Sequence, residues 1–149
     1  MRVDVTTNVE ISCPREEVAN YAGDPTNATA WYENIKRIEW KTAPPLSIGS
    51  KIAFVAHFLR RELTYTYEVH ALDRGVRLMM RTDEGPFPME TTYLWEDTAG
   101  GGTRMTLRNR GTPTGFASVA SPLLAAAMRR ANKKDLSCLR QILERDRNG

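Results

Sequence analysis

The feature that most constrains this chain is a change of period. Through the middle of the sequence, apolar and polar residues alternate one by one. After Gly111-Thr112-Pro113 the apolar residues recur every third or fourth position instead. Alternation marks half-buried strands, and the longer period marks an amphipathic helix. Turn residues cut the alternating region at Pro44-Pro45, Gly49, Asp73-Arg74-Gly75, Gly85-Pro86-Phe87-Pro88 and Gly100-Gly101-Gly102. The spacing predicts six strands joined by short turns, hence an antiparallel meander. Leu124, Met128, Asn132, Leu136, Leu139 and Leu143 form the apolar stripe of the final helix, widened by Ala127, Ala131 and Ile142. Some 25 residues of helix span roughly 38 Å, more than any strand.

The start of the chain adds one more strand and two short helices. Val3, Val5, Val9 and Ile11 alternate with polar residues. Pro14, Glu16 and Glu17 favour a helix start, and Gly23 ends that helix. Asp24-Pro25 reads as the cap and first position of a second helix, which carries Ala28, Trp31 and Tyr32. The expected fold is α+β. One domain spans residues 1–149, with a curved antiparallel sheet of about seven strands wrapped around the C-terminal helix.

The inward sheet face is rich in aromatic residues, among them Phe54, Phe58, Tyr65, Tyr67, Tyr93 and Trp95. The helix offers mainly alanines opposite, from Ala120 to Ala131. Small residues either let the helix approach closely or leave room. Tyr65, Tyr67, Tyr93, Thr91 and Asn109 also point inward on this alternation, and buried polar atoms need partners. Those partners are either other side chains at a rim, or water, or a ligand in an apolar pocket with a few polar groups.

Composition narrows the classes. The net charge is +3, from 21 Lys and Arg against 18 Asp and Glu. The one basic cluster, Arg129-Arg130 and Lys133-Lys134, falls on the solvated helix face, so no nucleic-acid partner is expected. Cys13 and Cys138 are far apart, and no metal-ligand spacing occurs, so neither metal nor cofactor is expected. No apolar run reaches the ~20 residues of a membrane span. A cytoplasmic protein without stable membrane insertion is expected.

Five stretches, Val18 to Trp31, Ile48 to Ile52, Leu63 to Val69, Gly101 to Leu107 and Arg130 to Glu144, together resemble the SRPBCC superfamily, which includes START domains and the birch-pollen-allergen family. Val18 to Trp31, with Asp24-Pro25-Thr26-Asn27, resembles its helix pair. Ile48-Gly49-Ser50-Lys51-Ile52 resembles a strand opening. Leu63 to Val69 and Gly101 to Leu107 resemble two later strands, and Arg130 to Glu144 its last helix. The polyketide cyclase/dehydrase-like proteins are the most similar group. The resemblance implies a helix-grip fold with a pocket between sheet and helix, but no single reaction.

The candidate ligand-binding residues are Trp31, Phe54, Phe58, Tyr65, Tyr67, Met80 and Met89, with Thr91, Tyr93, Trp95, Asn109, Phe116, Leu124 and Met128. The pocket mouth is expected near Trp31 and the Gly85–Pro88 turn. No catalytic constellation is readable. His57 and His70 fall on the outward face, as do Glu62, Glu68, Glu90 and Glu96, while Asp83 and Glu84 sit at a strand end where a general base could act. Three functions are compatible. One is a carrier or sensor binding an apolar, aromatic or lipid-like molecule, as monomer or homodimer. The second is a polyketide cyclase or dehydrase using the same pocket. The third is an interaction module of the chaperone-activator type.

Overall fold

A computed structural model describes residues 2–58, 60–82, 87–113 and 121–148, with the side chains of 58 and 146–148 left aside. Strand β1 (Val3–Ile11) leads into helix α1 (Arg15–Ala22). A 3₁₀ turn (Pro25–Asn27) and the short helix α2 (Ala28–Trp31) follow. Six strands come next: β2 (Ile35–Trp40), β3 (Lys51–Phe58), β4 (Arg61–Asp73), β5 (Arg77–Thr82), β6 (Met89–Asp97) and β7 (Thr103–Gly111). Helix α3 (Ser121–Asn148) closes the chain, and no described helix is long and apolar enough to cross a membrane.

The local signals act as expected. Gly23 caps α1 by donating its N–H to Ala19. Asp24 caps the 3₁₀ turn, its carboxylate accepting Thr26 N–H at 3.0 Å. The strands form one seven-stranded antiparallel sheet in the order β1-β7-β6-β5-β4-β3-β2. The meander runs from β2 to β7, and β1 returns alongside β7 with Val3 opposite Gly111. Register shifts between Ile35 and Arg37, and between Val69 and Ala71, are bulges that bend the sheet. Val76, expected to continue the alternation into β5, precedes that strand and is exposed.

The outer sheet face is charged and paired. Glu62 meets Arg37 and His57, Glu68 meets Lys51 and His70, and Glu90 meets Arg81 and Arg110. Both histidines therefore lie outward, as read. The inner face packs against α3, but unevenly. Leu136, Leu139 and Leu143 are buried with Ile11, Met105 and Leu107. Ser12 N–H donates to Glu144 at 2.9 Å, and Glu33 N–H donates to Asp135 at 3.1 Å. Earlier on α3, Leu123 is exposed, and Leu124 and Met128 are only half-buried.

Candidate functional site

That unevenness leaves a half-open cavity of about 240 Å³ between the first half of α3 and the sheet. Leu124, Ala127, Met128 and Ala131 line it from the helix. With alanines at half of these positions, the helix cannot fill the space. From the sheet come Phe54, Ala56, Leu63, Tyr65, Tyr67, Met80, Met89, Thr91, Tyr93 and Asn109. Phe87 closes one end. The ring can lie there because Gly111 has no side chain: an added Cβ would come within 2.7 Å of it.

Polar groups in the wall satisfy one another. Asn132 Nδ2 donates to Asn109 Oδ1 at 2.7 Å, and Asn109 Nδ2 donates to Thr91 Oγ1 at 2.8 Å. Thr91 Oγ1 in turn donates to the Tyr67 hydroxyl at 3.3 Å. Each step hands its proton toward Tyr67, so the Tyr67 O–H is left to donate to something else. Tyr32 and Tyr93 share a second hydrogen bond of 2.6 Å across the cavity wall. One of the pair donates to the other, and the acceptor's own O–H also remains available. Burial pushes Tyr67 up to about 12 and raises Tyr32 and Tyr93 as well. These phenols stay neutral and are hydrogen-bond donors at physiological pH. Phe54 stacks edge-on against Tyr67, with centroids 5.7 Å apart, and holds that ring in place.

Asp135 is the acid among the described lining residues. Burial pushes its carboxyl from 3.8 up to about 6, opposed by the hydrogen bond from Glu33 N–H. Among the described residues, no cluster of three His, Cys, Asp or Glu could hold a metal.

The cavity brings together Phe54, Tyr65, Tyr67, Met80, Met89, Thr91, Tyr93, Asn109, Leu124 and Met128 from the sequence-derived set. Two members lie elsewhere. Trp31 is 1% exposed and packs behind Tyr32, centroids 4.0 Å apart, so it supports the wall without lining it. Trp95 shares the inward face of β6 with Met89, but six residues of strand separate them by about 20 Å. It lines a different hollow, beside Gly23 and Trp40. Buried behind the wall, Trp31 does not itself rim an opening of the cavity. Phe58's side chain, Phe116, Asp83 and Glu84 lie outside the described residues, as do Gly85 and Pro86.

Tyr32, Asn132 and Asp135 are lining residues that sequence reasoning does not single out. A signal for two of them was present. Asn132 interrupts the apolar stripe of α3, and Asp135 lies three positions on, over the same face.

Comparison with known proteins agrees with this architecture. Residues 2–145 match the sequence profile of a family described as polyketide cyclase/dehydrase and lipid transport. No curated protein matches the chain significantly. Among solved structures, an aromatase/cyclase from a Streptomyces species superposes with a TM-score of 0.80 at 14% identity, over 97% of this chain and 95% of that one. A Thermus thermophilus protein gives 0.79 at 20% identity, covering 93% and 94%. A START superfamily protein from Mycobacterium smegmatis gives 0.74 at 14% identity, covering 95% and 94%.

Proposed function

The chain belongs to the polyketide cyclase/dehydrase and lipid-transport family, and from that premise we propose that it binds one apolar, ring-bearing small molecule between its sheet and α3, as a carrier or sensor. The observation that carries this reading is the cavity itself. Its walls are aromatic and aliphatic, and a few phenol, amide and carboxyl groups converge on it. A module that works through its outer surface has no use for such a space, and the outer sheet face is charged and paired. Phenol donors aimed into an apolar space would orient a ligand oxygen or ring face.

A neutral apolar dye, N-phenyl-1-naphthylamine, tests the reading. Its fluorescence should rise saturably with the unaltered protein. Ala131→Trp, which fills the cavity from the helix, should abolish the rise. Ala126→Trp, on the exposed face of the same helix, should not. Equal dye binding by all three proteins would place the site elsewhere.

The second reading, a cyclase or dehydrase, is favoured by one observation. Asp135, with its carboxyl at about 6, lines the same cavity as the phenol donors Tyr32 and Tyr93. A base of that strength beside hydrogen-bond donors is the equipment for enolising a ketone. A mass change in a bound poly-β-ketone, absent in Asp135→Asn, would support it over the carrier reading.

A further inference from the structure

We infer that the ligand of this cavity carries a basic nitrogen, which Asp135 holds as an ammonium ion. This rests on the binding reading above and names the chemistry of the molecule bound.

The Asp135 side chain is part of the cavity wall, and the residue is 5% exposed. Its Oδ1 accepts Glu33 N–H at 3.1 Å, while its Oδ2 takes no hydrogen bond from a described residue. Accepting one backbone N–H requires no charge, since an asparagine oxygen would serve. A carboxylate here is therefore more than the fold needs.

The charge also has no cation beside it in the described cavity wall. Among the described residues, no Lys, Arg or His lines the cavity. Lys134 precedes Asp135 by one position and favours its charge from a distance, but its Nζ lies out in solvent, 3.1 Å from Glu33 Oε1. Glu33 is itself acidic and works against the Asp135 charge. Tyr32 and Tyr93 face it as neutral phenols. An anion withdrawn from water without a counter-charge is costly. A ligand ammonium supplies the missing partner. Tyr32, Tyr65, Tyr67 and Tyr93 line the same wall, and aromatic ring faces attract cations. A ligand carboxylate or phosphate would meet repulsion from Asp135 and no compensating cation.

Three probes that share one apolar frame test this: naphthylethylamine, naphthylethanol and naphthylacetate, titrated calorimetrically into the full chain at neutral pH. The amine should bind about tenfold or more tightly than the alcohol, and the acetate most weakly. Asp135→Asn, checked for folding by circular dichroism, should erase the amine's advantage. In the unaltered protein the advantage should also fall as pH drops through about 6 and Asp135 takes up its proton. This second arm decides the matter if the variant does not fold. Equal binding of amine and alcohol, or an advantage that survives both treatments, overturns the inference and leaves the binding reading standing. Failure of all three probes and of the neutral dye overturns both.

Discussion

At the level of single side chains, polar atoms of the cavity wall hold one another. Tyr32 and Tyr93 are the clearest case, at 2.6 Å. Removing either hydroxyl leaves the other buried without that partner, so Tyr32→Phe and Tyr93→Phe should each cost about 1–3 kcal/mol in urea unfolding. The double variant should cost little more than either single one, because it strands no hydroxyl. Strict additivity would mean the two hydroxyls act independently. Asp135 gives a pH signature. Its carboxyl is raised from 3.8 to about 6 in the fold, so ionisation disfavours the folded state. Below about 3.8 both states are protonated and the cost is absent. It grows as the unfolded chain ionises first, and is complete above about 6. The Tm gain of Asp135→Asn over the unaltered protein should therefore be near zero at the acid end and reach a plateau above about 6. A gain constant across this range would contradict the burial of that carboxyl. Residues of this kind are only half legible in sequence. Alternation placed Thr91, Tyr93 and Asn109 inward. It could not show that Asn109 meets Asn132, because that bond joins a strand to a helix whose rotation depends on packing.

Among elements, α3 is divided in two. From Asn132 onward it is core, with Leu136 and Leu139 at 1% and 0% exposure. Before that it is the roof of a cavity. Leu139→Ala should cost about 2–5 kcal/mol, as expected for a filled core site. Met128→Ala should cost well under half of that, since Met128 already borders empty space. Urea denaturation of both variants checks this. Equal losses would mean that the first half of α3 is packed like the second. The helical period revealed the stripe and its length but not this division, since Leu124 and Leu139 are alike in pattern. The strands show the same limit. A period of two reveals which face a residue is on and says nothing of its distance along the sheet. Met89 and Trp95 of β6 therefore read as neighbours in one pocket, yet lie in different hollows. The turns were legible because their chemistry is local: Asp24-Pro25 and Gly23 do in the fold what their side chains dictate.

For the whole molecule, a bent seven-stranded sheet and one long helix enclose more volume than the side chains of the described residues fill. A ligand that occupies the space binds only the folded state, so it should raise Tm in proportion to the logarithm of its concentration. The fold class was readable because strand order and the closing helix follow from successive local periods. The hollow was not, because it depends on a difference between helix and sheet that no single segment records. Native mass spectrometry of the protein purified from its own cells, beside a denatured control, bears most directly on that hollow. A reproducible small mass that accompanies the folded chain and is lost on denaturation is the expected result. A bare protein that also takes up neither the neutral dye nor the naphthyl probes would contradict a ligand-binding cavity.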